Sequence, residues 1–172
     1  MNLENNISVA VGEAAPDFEL QTEKGEKWRL SEHLGNVVAL LFYPKDETLV
    51  CTKQLCSVRD NWADYLATKA LVVGVSPGNI DEHRAFAQRH RLPIPLLADV
   101  DRNVTLNYNF HWIFPTVFTR AIVIVDAKGI IRSRKIMLRA FRPADRAVIA
   151  SIYAARADSL SEKYNSLKRE NQ

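Results

Sequence analysis

The sequence predicts an α/β layered fold with a central mixed β-sheet flanked by helices. Three observations carry that reading. Apolar runs with the length of buried strands, VVALLFY at 37–43 and ALVVGV at 70–75, alternate with helical stretches, as in parallel strands joined by crossovers. Two later runs, Ala121 to Asp126 and Ile130 to Met137, flank the turn AKG and so form a hairpin, which adds antiparallel pairing. The 172 residues, 47% apolar and 25% charged, suit one globular domain.

Each element has a local reason. Residues 1–10 read as a loose arm. Asp17 to Gln21 and Trp28 to Leu30 read as short strands about the turn EKG, with Ser31 capping a helical turn. Pro44 ends the 37–43 strand. A helix is expected from about Cys51 to Lys69, with Val58, Trp62, Tyr65 and Leu66 at helical spacing. A polar amphipathic helix follows over 79–91, carrying His83, Phe86, Ala87 and His90. Leu96 to Ala98 reads as a short strand and 101–109 as a short helix. Pro143 falls in the first turn of the final helix, where proline is tolerated. Leu160, Tyr164 and Leu167 form a weak stripe on the polar tail, which suits a docked helical extension as well as a solvated end. No internal repeat is present, and the division expected is a domain over 1–157 and a polar extension over 158–172.

Composition excludes several classes. Lys plus Arg number 23 against 20 Asp plus Glu, so the net charge of +3 indicates neither a nucleic-acid nor a membrane partner. The start, MNLENNISVAVGE, lacks a basic region and a long apolar core, and no apolar stretch approaches the roughly 18 residues of a membrane span. A cytoplasmic location is the expectation. Two cysteines do not make a disulfide scaffold.

The informative stretch is FYPKDETLVCTKQLCSVRD, residues 42–60. A buried strand ends at Pro44, a polar loop follows, and Cys51 falls in the first turn of a helix. Unpaired N–H groups and the helix dipole favour an anion there, hence a nucleophilic thiolate. Thr48 can bring a hydroxyl beside the sulfur, and Pro44 can shield it from water. Cys56 lies five residues on. In a regular helix that offset separates Cα atoms by roughly 8 to 9 Å, whereas a disulfide needs roughly 4.4 to 6.8 Å. The two could join only if the first turns unwind, which would make the segment a redox-driven unfolding switch. Two buried, inert cysteines fit the spacing about equally well. His33, His83, His90 and His111 have no metal-ligand spacing, and a thioredoxin-type C-x-x-C is absent.

Pro44-Lys-Asp-Glu-Thr48-Leu-Val-Cys51 is the P-x-x-x-T-x-x-C pattern, and with it the chain resembles the peroxiredoxins. Cys56 in CTKQLCSVRD is similar to the second cysteine of the bacterioferritin-comigratory/peroxiredoxin Q subfamily. VGEAAPDFEL, LVVGVSP, RLPIPLLAD and RAIVIVDAKGIIR extend the resemblance over about residues 11–155. The resemblance implies a thioredoxin-like fold and an atypical two-cysteine, thioredoxin-dependent peroxidase without metal or organic cofactor. It implies that Cys51 is the peroxidatic cysteine and that Thr48 hydrogen-bonds sulfur and peroxide. Arg120 would hold the thiolate and Pro44 would shape the pocket. Cys56 would be the resolving cysteine of an intramolecular Cys51–Cys56 disulfide. The partners implied are hydrogen peroxide or organic hydroperoxides and, as reductant, thioredoxin or a glutaredoxin. A monomer is expected, with a dimer as the alternative.

The chain departs from that subfamily in two places. Val50 replaces the usual Gly, stiffening the loop or narrowing access, and Gln54 replaces a common Glu, removing a charge near the site. Residues 110–118, FHWIFPTVF, are aromatic and fit core, a pocket rim or a dimer contact. Arg132, Arg134, Lys135, Arg139, Arg142 and Arg146 fit a solvated face better than a docking patch. Trp28, Trp62 and Trp112 fit core or groove positions. Two rival functions are a thiol–disulfide oxidoreductase, which would have no use for Thr48 and Arg120, and a redox sensor that turns over poorly.

Overall fold

In a computed structural model of the chain, the residues described are 9–108, 119–138 and 141–170. The aromatic segment 110–118, Arg139 and nearly all of the N-terminal arm lie outside them. A small antiparallel pair, β1 (Glu19–Gln21) and β2 (Lys27–Arg29), precedes the main sheet. The main sheet contains β3 (Val38–Phe42), β4 (Leu71–Ser76), β5 (Leu96–Ala98), β6 (Thr119–Val125) and β7 (Ile131–Leu138). Their spatial order is β5-β4-β3-β6-β7. β3, β4 and β5 are parallel, while β6 pairs antiparallel with β3 and β7 with β6.

Alternation along the strands builds two cores. Ala39 and Leu41 of β3, with Ile122 and Ile124 of β6, face a layer made by α1 (Leu49–Asp60), α2 (Trp62–Ala67), α3 (Ile80–His90) and α5 (Asp145–Glu170). Val38, Leu40 and Phe42, with Ala121, Val123 and Val125, face the opposite layer, which holds the β1–β2 pair and the short helix α4 (Asn103–Asn107). Every residue of β3 is buried, which is why its sequence reads as an unbroken apolar run.

The local expectations hold closely over 79–91. Asn79 caps α3 in a reciprocal box with Glu82, and Arg91 closes the helix in the left-handed conformation. They fail over 51–69. That stretch is two helices, because Asn61 sits at φ −104°, ψ 22° and its side chain donates to Ser57 O at 2.9 Å. Pro143 also precedes the last helix rather than opening it. The helix starts at Asp145, whose carboxylate accepts from Ser57, Asn61 and Tyr65 and so ties α5 to the α1–α2 junction. Ser31 lies inside a 3-10 turn at Leu30–His33, and the Asp17 carboxylate takes both its N–H and its hydroxyl. The helix expected to begin at Pro143 runs without interruption to Glu170.

Candidate active site

Topology brings the chemistry to one end of β3. The chain leaves the C-terminal end of β3 into the loop 43–48 and enters α1. The antiparallel neighbour β6 starts at that same end, with Ala121 paired to Phe42. Arg120 is therefore one residue beyond the pair. It shares the side of Ile122 and Ile124, so its side chain points toward α1.

Thr48 is the N-cap of α1, and its hydroxyl accepts from Cys51 N–H at 3.4 Å. The same hydroxyl donates to Lys45 O at 3.4 Å. The structure thus places Thr48 on the backbone of Cys51 rather than on its sulfur, because capping geometry directs the oxygen to the third helical N–H. Pro44, near the start of the loop, is buried. Cys51, Leu55 and Val58 recur every three to four residues on the core face of α1, and Cys51 is 0% exposed.

Arg120 is also 0% exposed. Its Nη2 donates to Cys51 Sγ at 3.2 Å and its Nη1 donates to Gln54 Oε1. Burying a permanent cation is costly without an anion and hydrogen-bond acceptors around it. Cys51 Sγ is one acceptor in reach of the guanidinium, and the neutral amide of Gln54 is another. Gln54 thus takes part in the hydrogen-bond network around Arg120.

Cys56 lies about 140° around the helix from Cys51 and is half-buried. Both cysteines are free thiols. Sequence reasoning brings Cys51, Thr48, Pro44 and Arg120 together, and the structure leaves Cys56 on another side of the same helix.

A second polar layer escaped that reasoning. Tyr43 Oη donates to Asp46 Oδ1 at 2.8 Å, and Asp46 Oδ2 lies 2.6 Å from His83 Nδ1. Burial first, and then the Asp46 carboxylate, hold the Tyr43 phenol well above its usual range, so it remains a donor. His83 was visible in the sequence only as a histidine on a polar helix. Its partner is 37 residues away and no spacing rule joins them.

The basic cluster is partly internal. Arg132 pairs with Asp126 at 2.6 Å and with Glu162 at 2.5 Å, and Arg134 donates to Tyr108 O at 3.0 Å. Trp28 is a core residue stacked on His33, and Trp62 packs at the edge of the helical core. Among the described residues no helix is long and apolar enough to cross a membrane.

These features define an α/β domain whose buried thiol sits in a capped helical turn against a buried guanidinium. Residues 11–134 match the AhpC/TSA family. Peroxiredoxin Bcp of Bacillus subtilis is 39% identical over 93 residues, covering 54% of this chain and 59% of that protein. Chloroplastic peroxiredoxin Q of Triticum aestivum is 37% identical over 125 residues, covering 72% of this chain and 58% of that protein. The chain thus spans less than two thirds of the length of these two relatives. The crystal structure of peroxidoxin BcpB from Mycobacterium tuberculosis superposes with a TM-score of 0.73 at 26% identity, over 85% of this chain and 97% of that one. The chain belongs to the AhpC/TSA family, among its peroxiredoxins of the Bcp and peroxiredoxin Q kind, and its fold is thioredoxin-like.

Proposed function

We propose that the chain is a thiol peroxidase that reduces hydrogen peroxide and organic hydroperoxides through Cys51, with Cys56 as the resolving thiol. The observation that carries this reading is the buried Arg120 guanidinium 3.2 Å from Cys51 Sγ. A cation fixed there stabilises negative charge as it develops on sulfur and on the peroxide oxygens. The thiolate attacks one peroxide oxygen and the O–O bond breaks. Sulfur is oxidised to the sulfenic acid, and the other oxygen leaves as water or alcohol after taking a proton. The Cys56 thiol then displaces the sulfenic oxygen as water, giving the Cys51–Cys56 disulfide. A dithiol protein, thioredoxin or a glutaredoxin, returns both cysteines to thiols and is itself oxidised. Thr48 contributes by capping the turn that presents Cys51, and Pro44 by closing the floor of the loop. Recycling of this kind fits a cytoplasmic protein, acting as a monomer because the resolving thiol lies in the same chain. In this reading residues 1–157 form the enzyme domain and 158–172 a polar C-terminal extension.

The test is intact mass after mixing reduced protein with one equivalent of hydrogen peroxide. Wild type should lose two hydrogen atoms as an internal disulfide, their electrons having reduced the peroxide. Cys56→Ser should gain one oxygen on Cys51, and Cys51→Ser should not react. Slow oxidation of similar extent in all three would overturn the assignment.

A further inference from the structure

The loop that carries Thr48 into α1 is fastened to α3 at two adjacent residues. Asp46 is buried, held by Tyr43 Oη at 2.8 Å on one side and by His83 Nδ1 at 2.6 Å on the other. His83 Nε2 also faces Ser76 O at 3.4 Å, so the ring is fixed between β4 and the loop. The next residue, Glu47, is in the left-handed region at φ 57°, an unfavourable conformation for a side chain of that size. Its carboxylate reaches Arg89 Nη1 at 2.9 Å and His90 Nε2 at 3.3 Å, both in the last turn of α3. The chain has been shaped around the buried pair. A Cβ on Gly78 would stand 2.7 Å from His83 Cε1 and 3.3 Å from Asp46 Oδ2, so only glycine leaves them room.

Arg59 adds a third fastening, from Nη1 to His90 O at 2.7 Å, beyond Cys56 on α1. Residues 48–56 therefore lie between two attachments to one rigid helix. That span has to unwind if Cys51 is to meet Cys56, because the regular helix holds them apart.

We infer that Asp46 and His83 form a latch: they are positioning residues that hold the loop and first turn wound, and so set how Cys51 divides between reaction with peroxide and release toward Cys56. The inference rests on the two-cysteine reading above. A tight latch keeps the Arg120 site assembled and speeds attack on peroxide. It also delays resolution, so that a second peroxide can transfer an oxygen to the sulfenic acid and give the sulfinic acid.

Three variants test it: His83→Ala, which removes the partner, His83→Asn, whose amide nitrogen stands near the place of Nδ1, and Gly78→Ala, which intrudes on the pair from β4's side. Hydrogen exchange of the reduced proteins reads the latch without any peroxide. In His83→Ala and Gly78→Ala the amides of 48–56 should exchange about tenfold faster, the scale of one or two net hydrogen bonds. Those of β3 and β6 should keep their protection, and His83→Asn should stay near wild type. With excess peroxide the first two variants should oxidise Cys51 more slowly, form the disulfide faster and yield several times less sulfinic acid. Unchanged exchange over 48–56, equal loosening of β3 and β6, or oxidation and resolution slowing together would overturn the latch. Should His83→Ala not fold, Gly78→Ala gives the same decision. If wild type forms no Cys51–Cys56 disulfide while the exchange pattern is as expected, the two-cysteine reading fails and the partition falls with it, leaving only a structural clamp.

Discussion

Gln54 is the residue that shares the Arg120 guanidinium with Cys51. It is buried and its Oε1 accepts from Arg120 Nη1, while Nη2 reaches Cys51 Sγ. The guanidinium presents two donors side by side, one to a neutral amide and one to sulfur. Gln54→Glu would convert the first contact into an ion pair, and the cation would then be shared between a carboxylate and the sulfur. Negative charge developing at Cys51 in the proposed reaction would lose part of its counter-charge in a place where water cannot replace it. The second-order rate of Cys51 oxidation should fall by about tenfold, the kinetic equivalent of about 1.4 kcal/mol. Stopped-flow measurement under excess peroxide checks it, and an undiminished rate would mean that the amide plays no part in the charge balance around Cys51.

At the scale of elements, the β6–β7 hairpin and α5 meet through one buried carboxylate. Asp126 Oδ1 accepts from Lys128 N–H at 2.8 Å and Ile130 N–H at 3.0 Å, shaping the turn, and its Oδ2 takes Arg132 Nε at 2.6 Å. Arg132 and Lys128 then reach Glu162 on α5. Burial by itself would raise the Asp126 carboxyl. The donors from Ile130, Arg132 and Lys128 outweigh it and hold the group below its ordinary value. A depressed carboxyl adds stability above its unfolded value and loses it as pH falls through the folded one. Asp126→Asn should therefore cost about 2 kcal/mol at about pH 7. The gap to wild type should narrow below about pH 4, where wild type also protonates. Urea titrations of the two proteins at neutral and acid pH measure it, and a gap that stays constant would remove the charge from the argument. This turn was legible in the sequence, since AKG between two apolar runs needs no distant information. So were β3, β4 and the span of α3, whose signals are all local. The break at Asn61 and the start of α5 were not, because both depend on Asp145, which Asn61 meets across 84 positions. The site divides in the same way. Cys51 and Thr48 sit in one short motif, whereas the Asp46–His83 pair forms only once α3 has packed beside the loop.

For the whole molecule, the reduced fold and the proposed Cys51–Cys56 disulfide would make opposing demands on α1. Closing a six-residue loop restricts the unfolded chain by only about 2 kcal/mol. Unwinding the first turns gives up more. Leu55, buried on the same face as Cys51, would lose about 2 kcal/mol if exposed. Arg120 Nη2 would give up its contact with Cys51 Sγ, and a hydrogen bond made by a charged group contributes about 1.5 to 3 kcal/mol. The Thr48 cap adds roughly 1 kcal/mol more. The oxidised protein should therefore be the less stable form by about 3 kcal/mol, which for a domain of this size corresponds to a melting temperature lower by about 6 to 12 °C. Calorimetry on fully reduced and fully oxidised protein decides the sign, and Cys56→Ser provides a reduced reference that cannot close the loop. The same difference enters the thiol–disulfide equilibrium. A reduced state favoured by its own packing makes the disulfide a better oxidant, so an external dithiol can reopen it readily. If the oxidised form instead melts higher, the helix keeps its core contacts with the disulfide closed. The energy for recycling would then have to come from the reductant alone.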